Sequence, residues 1–222
     1  MEIIWGIQLR EIILFLKQAG LAVVGATALW GFILSIQDLK HTDSKKWIID
    51  DLLSMKIFNL FTGGVILSSI SYYILIPTLR ALAHDGMSLS PSIPETIATF
   101  PVMSVLFIVL LVLTLIMLVV QKHNEKRFSE LLTPFYAITF TLAFIMTSFS
   151  GWRGTVDSTQ IFYFVHGFHS ILTLGSVVVL DFLFVICSNS DLLKQHVYKL
   201  FPTISKVIWV GLGLNFISGF LI

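Results

Sequence analysis

The chain has 222 residues, of which 56% are hydrophobic and only 12% charged, and its mean hydropathy is +0.90. Soluble domains carry roughly 25% charged residues, so this composition excludes an ordinary soluble domain and predicts a polytopic membrane protein. The formal net charge of +1, without a basic cluster, argues against a nucleic-acid partner. The single cysteine, Cys187, excludes an intrachain disulfide.

Six apolar stretches are long enough to cross a bilayer, and they predict an all-α bundle of six transmembrane helices in one domain, residues 1–222. The stretches cover residues 12–36, 57–79, 100–120, 132–149, 161–187 and 200–222. Most connections are short, so consecutive helices should pack antiparallel. Pro134 falls in the first turn of the fourth stretch, where a proline costs little.

Basic residues are distributed unevenly between the two faces of the predicted membrane. Ten belong to the face that holds the connections after helices one, three and five: Lys40, Lys45, Lys46, Lys56, Lys122, Lys126, Arg127, Lys194, Lys199 and Lys206. The other face has four: Arg10, Lys17, Arg80 and Arg153. The positive-inside rule therefore predicts a bacterial-type inner membrane protein with those three connections in the cytoplasm and both termini outside.

A shift of 150 residues aligns the first helical hairpin with the last one. Identical residues superpose in both helices of each hairpin: Gly25 with Gly175, Lys56 with Lys206, Gly63 with Gly213 and Ser68 with Ser218. Two interpretations remain: a duplication relates hairpins 12–79 and 161–222, with both hairpins entering the membrane from the same side, or the matches arise by chance, which is frequent in chains this apolar.

Helix five carries its polar side chains on one side, and we call this set the polar stripe. The polar stripe consists of His166, His169, Ser170, Thr173, Ser176 and Asp181. At about 100° per residue these side chains fall within an arc of about 140°, and the opposite side of the helix is apolar. Because ionisable groups are costly at membrane depth, the stripe should face protein, a cofactor or a water-filled cavity rather than lipid.

Asp181 of helix five and Lys206 of helix six have opposite charges and similar predicted depths in the last hairpin. A carboxylate inside a bundle favours a cationic partner, so the first interpretation is a structural ion pair that fixes the register of the hairpin. Two alternatives remain: Asp181 handles protons or ions, or it contacts another subunit.

His166 and His169 lie three residues apart in the outer half of helix five. Neutral imidazole is a good ligand for haem iron, copper and zinc, so both residues are candidate cofactor ligands, with haem b as the candidate cofactor. Two histidines on one helix cannot hold a haem from both sides. The other four fall in connections or at helix ends: His41, His84, His123 and His196. Interhelical hydrogen bonding and proton transfer are the alternative roles.

Helix six has Gly211, Asn215 and Gly219 at four-residue intervals, a spacing typical of close helix packing.

The chain contains no Walker A loop, no dinucleotide-binding glycine pattern, no His-Glu-x-x-His motif and no nucleophile elbow. The sequence therefore indicates no catalytic residues, and an enzymatic role is not favoured.

The last quarter of the chain combines helix-borne histidines with short apolar motifs. These are His166 or His169, Leu174-Gly175, Asp-Phe-Leu-Phe at 181–184, Ser-Lys-Val-Ile-Trp-Val-Gly-Leu at 205–212 and Ser218-Gly219. With these motifs, residues 165–222 resemble one hairpin of an uncharacterised family of bacterial multi-pass membrane proteins. The segment is more distantly similar to copper-resistance-type membrane proteins and to the membrane-bound protoporphyrinogen oxidase. The resemblance implies histidines that bind haem or copper, although the first hairpin has no histidine within its spans.

Three functional interpretations follow. The first is a non-catalytic subunit of a larger membrane complex, in contact with lipid and with other membrane subunits or further copies of itself. The second is a haem- or metal-binding electron-transfer protein that uses His166 and His169. The third is a small proton- or ion-coupled transporter that uses Asp181. The first is favoured, because the sequence offers neither a soluble domain nor a complete site.

Overall fold

The computed structural model of the chain describes residues 2–39, 44–75, 94, 97–98, 101–149, 165, 167–187 and 191–220. Over these residues the chain is helical and has no strand, which confirms the predicted all-α bundle. The six helices are α1 (Glu2–Leu39), α2 (Ser44–Ile70), α3 (Pro101–His123), α4 (Glu125–Phe149), α5 (Gly167–Ile186) and α6 (Asp191–Phe220). All six are long and apolar enough to cross a membrane.

Two five-residue π-helical turns interrupt the regular helices. One, Ser71–Leu75, continues the end of α2, and the other, Ile171–Gly175, lies within α5. In the first, Tyr72 is buried and its hydroxyl lies 3.0 Å from Ser104 Oγ of α3. The neighbouring Tyr73 hydroxyl donates a hydrogen bond to the Ser104 carbonyl at 2.8 Å. This turn therefore joins α2 to α3.

The turn between α3 and α4 consists of Asn124 alone. Asn124 Oδ1 accepts a hydrogen bond from the Arg127 backbone N–H at 2.9 Å, which satisfies a donor that the new helix would otherwise leave unpaired. Because this cap starts α4 at Glu125, Pro134 lies well inside the helix, and the prediction that it occupies the first turn is wrong. The missing proline N–H leaves the carbonyl of Glu130 without its helical donor, at an exposed residue.

Helix α1 is the centre of the bundle: 72% of its membrane-spanning segment, Phe15–Ile36, is buried. It contacts α2, α4 and α5. Small residues allow these close approaches, because a side chain on Gly20 would meet Ser68 of α2, and one on Gly31 would meet the ring of Tyr136 of α4. These small residues let α1 take its central position, which the sequence of α1 does not mark with a polar stripe.

Helices α1 and α5 pack against each other through a reciprocal pair of glycines. A Cβ on Gly25 would lie 2.6 Å from Ile171 of α5, and a Cβ on Gly175 would lie 2.5 Å from Ala26 of α1. Residues 25 and 175 are also paired by the 150-residue shift. The reciprocal contact fits two related helices around a local two-fold axis, and the duplication itself stays a prediction.

Aromatic rings fill the space between α2 and α4. Phe58 packs edge-on against Phe128, with 5.0 Å between ring centroids, and Phe61 packs edge-on against Phe135 at 5.1 Å. Both α2 rings are fully buried. Each such ring buries a large apolar area and adds an edge-to-face attraction, so this layer fixes how the first hairpin meets α4.

Helix α3 presents a uniform aliphatic face to its surroundings. Its exposed large residues recur at three- and four-residue intervals: Val102, Val105, Ile108, Val109, Val112, Leu115, Ile116 and Val119. A stripe of this kind is what a lipid-facing helix requires, because hydrocarbon offers no partner to a polar group.

Candidate functional site on α5 and α6

The π-helical turn Ile171–Gly175 divides the polar stripe into two parts. A π turn takes in one residue more than an α turn, so every residue after it is rotated by about 100° relative to an uninterrupted helix. Ser176 is fully buried on the side of α1, whereas Asp181, about 140° away around the same regular segment of α5, is exposed. The stripe therefore does not face a single neighbour.

His169 lies two residues before this turn, and its side chain is 8% exposed. The Thr173 hydroxyl donates a hydrogen bond to the His169 backbone carbonyl at 2.7 Å. Gly211 of α6 packs over the same place, since a Cβ there would lie 2.7 Å from Thr173 and 2.9 Å from Leu172. His169 thus sits inside the bundle close to α6. The predicted partner ligand, His166, lies outside the described residues.

Ser176 has a role that the sequence did not reveal. The indole Nε1 of Trp30 on α1 donates a hydrogen bond to Ser176 Oγ at 2.9 Å, and both side chains are buried. Trp30 and Ser176 are 146 residues apart, so only the packing of α1 against α5 brings them together. This bond satisfies two polar groups at membrane depth and so links the first hairpin to the last.

We expect Trp30→Phe and Ser176→Ala each to destabilise the folded chain, and the double variant to lose less than the sum of the two losses. Measured interhelical hydrogen bonds in membranes couple by about 0.6 kcal/mol on average and at most about 1.7 kcal/mol, so a coupling in this range is expected. The free energies of unfolding of the four proteins in one detergent provide the measurement. Additive losses would mean that the bond contributes nothing.

Asp181 and Lys206 both have exposed side chains, although both lie within membrane-spanning segments, Gly167–Ile186 and Val197–Ile217. Among the residues that the structure describes, the ion pair present joins Lys194 Nζ to Asp191 Oδ1 at 3.6 Å, at the start of α6. The structural pair of Asp181 with Lys206 stays a prediction. Two opposite charges on the outside of the last hairpin need a partner or each other.

The predicted packing residues of α6 lie on one side of the helix but differ in exposure. Gly211 is buried against α5, as a packing role requires. Asn215 is exposed, and Gly219 lies in the last turn of the helix. Gly213 lies about 200° from Gly211 around the helix, so it faces away from α5; it is exposed, and a Cβ placed on it would have nothing within 4 Å. Among the residues that the structure describes, the side of α6 that faces away from α5 is therefore exposed.

Within the described ranges, no group of three or more His, Cys, Asp and Glu side chains is placed to hold a metal ion. His84, which the sequence places in a connection or at a helix end, lies outside those ranges. His169 is the one residue of the predicted cofactor pair whose position the structure describes, and its role as a ligand stays a prediction.

No protein-family model matches the chain, and comparisons with curated proteins and with solved structures give no significant match. The resemblance of residues 165–222 to histidine-bearing membrane hairpins stays a prediction.

Proposed function

We propose that this chain is a non-catalytic subunit of a larger membrane complex, and that α6 is its main contact face. The observation that supports the proposal is the high exposure of α6 within its own bundle. Only 11% of its membrane-spanning segment is buried, compared with 72% for α1. A helix that contributes so little to the interior of its own bundle is available to contact another protein.

The composition of the exposed face of α6 distinguishes it from a lipid-facing helix. Trp209 is 70% exposed and Phe216 68%, and Gly213 lies between them on the same side of the helix. A small residue that lets another backbone approach closely is typical of helix–helix interfaces in membranes. Helix α3 exposes only aliphatic side chains over its central turns, as lipid contact requires. The two faces are therefore suited to different neighbours.

The exposed charges support the same proposal. Asp181 lies five residues from the end of its span, roughly 8 Å along the helix, and its side chain is too short to reach the headgroups easily. On insertion scales, an aspartate or lysine near the bilayer centre costs roughly 2.5–3.5 kcal/mol. A protein partner that covers Asp181 and Lys206 would reduce this cost.

The two other hypotheses rest on fewer observations. A transport role would place Asp181 along an interior pathway, whereas its side chain is on the outside of the described bundle. A haem role would draw on His169, which is buried, but no group of three or more His, Cys, Asp and Glu side chains among the described residues is placed to support a metal centre. A subunit of a complex requires neither feature.

Site-specific photo-cross-linking in intact membranes tests the proposed function. p-Benzoylphenylalanine placed at Trp209 should form adducts with protein of discrete mass. The same group placed at Leu115 of α3, which is 59% exposed, is the matched control and should react with lipid alone. Equal yields of protein adducts at both positions, or none at Trp209, would contradict the proposal.

A further inference from the structure

We infer that the partner on α6 is a second copy of this chain, related by a two-fold axis along the membrane normal, with Asp181 of each copy paired to Lys206 of the other. The inference rests on the proposed function and names the partner. It follows from the exposure, relative depth and charges of these two side chains, and from the shape of the face that carries them.

The contact between α5 and α6 fixes the relative depth of the two charges. Gly211 packs against Leu172 and Thr173, and Tyr198 packs against Phe184, so the two helices run in opposite directions. Lys206 lies five residues before Gly211 on α6. Because the helices are antiparallel, it is level with residue 177, which lies five residues after Leu172 on α5. Asp181 lies four residues further along α5, a difference in depth of roughly 6 Å.

The directions of the two side chains reduce this difference. In a helix, each Cα–Cβ bond tilts toward the N-terminus of its own helix. The side chain of Asp181 therefore tilts toward Gly167, and that of Lys206 tilts toward Asp191, which brings the two head groups toward one depth. The long lysine side chain covers the rest of the depth difference, because its ammonium group extends toward the membrane surface on the Asp191 side. A two-fold axis along the membrane normal preserves depth, so the same match holds between two copies.

Asp181 belongs to an exposed stripe that runs beside α6. Leu174, Val177, Asp181 and Val185 are all exposed and recur at three- and four-residue intervals. Near the Asp191 end of α6, Phe184 of α5 and Tyr198 of α6 are in edge-to-face contact with 5.6 Å between ring centroids, so α6 lies directly beside this stripe. The last hairpin thus exposes one negative charge on α5 and one positive charge on the neighbouring α6.

A surface that carries one charge of each sign can pair with the same surface of a second copy. In a two-fold interface, residue i of one copy contacts residue j of the other, and j contacts i in return. One Asp181 and one Lys206 per copy then form two equivalent ion pairs, and no charge is left exposed to lipid. Gly213 lets the backbones approach closely, while Trp209 and Phe216 supply the apolar area that the contact buries.

Charge exchange between differently tagged copies distinguishes this arrangement from an ion pair within one chain. In a pair of Asp181→Lys copies, lysine meets lysine at both contacts, and in a pair of Lys206→Asp copies, aspartate meets aspartate. We expect co-purification of the two tags to fall about tenfold or more in each case. When Asp181→Lys and Lys206→Asp copies are expressed together, both contacts regain opposite charges, and co-purification should recover.

An ion pair within one chain predicts the opposite result for the mixture. Each single variant would then hold a mismatch that no partner can correct, so failure of the mixture to recover would overturn the inference. Cysteine cross-linking keeps the native charges and guards against variants that do not fold. In a Cys187→Ala background, oxidation should give a covalent dimer with Phe216→Cys but not with Val112→Cys of α3, and equal dimer yields would also overturn it.

The two proposals fail in different ways. If Trp209 cross-links to a different polypeptide and Phe216→Cys gives no dimer, the second copy is excluded and the subunit role stands. If neither experiment gives a protein adduct, both proposals fail.

Discussion

Gly175→Ala is expected to destabilise the folded chain by about 3 kcal/mol or more, although it adds a single methyl group. The new Cβ would overlap the backbone carbonyl oxygen of Ala22 and lie 2.5 Å from Ala26 Cβ on the central helix α1. A flexible side chain could move away, but a backbone carbonyl in a buried helix cannot. The helices must therefore separate, and overpacking of this kind typically costs about 1–3 kcal/mol or more.

The free energy of unfolding in a fixed detergent, or the midpoint of thermal unfolding, measures this effect. Gly63→Ala is the matched control, because Gly63 also lies within a membrane-spanning helix but a Cβ placed on it would have nothing within 4 Å. There, alanine removes the helix penalty of glycine, roughly 0.5–1 kcal/mol, so no loss of stability is expected. Similar losses for both variants would show that α1 and α5 do not pack through Gly175.

The number of membrane spans could be predicted from the sequence, but the beginning of α4 could not. Hydropathy correctly predicted six spans, since the length and composition of a stretch decide whether it can cross a bilayer. The beginning of α4 could not be predicted in this way. Its first turns project beyond the apolar stretch and depend on the hydrogen bond between Asn124 and Arg127.

The candidate site was predicted less well, because its geometry depends on packing between distant segments. The polar stripe assumed an uninterrupted helix, whereas the π turn Ile171–Gly175 changes the direction of every later side chain. The turn ends at Gly175, where α5 meets α1, and the next residue, Ser176, bonds to Trp30. Neither contact leaves a periodic signal in the sequence. The sequence therefore indicated the residues that matter on α5 but not the neighbour that each one faces.

Phe61→Ala is expected to destabilise the folded chain by about 3–5 kcal/mol, since truncation of a buried phenylalanine removes packing contacts and leaves a cavity. Phe61 is fully buried, and its ring packs against Phe135 at 5.1 Å and Phe58 at 6.1 Å between centroids. The helices around it are held by α1, so they cannot collapse fully into the space. The free energy of unfolding in detergent provides the measurement.

Ile66→Ala, on the same helix, separates packing within the bundle from simple loss of apolar area. Ile66 is 52% exposed, so its side chain faces detergent or lipid. Because detergent and lipid tails are as apolar as the isoleucine side chain, its truncation leaves no empty cavity. A loss below about 1 kcal/mol is expected there. If Ile66→Ala cost as much as Phe61→Ala, exposure in the isolated bundle would not indicate lipid contact. The exposed face of α2 would then be an interface as well, and the contrast between α3 and α6 would lose its force.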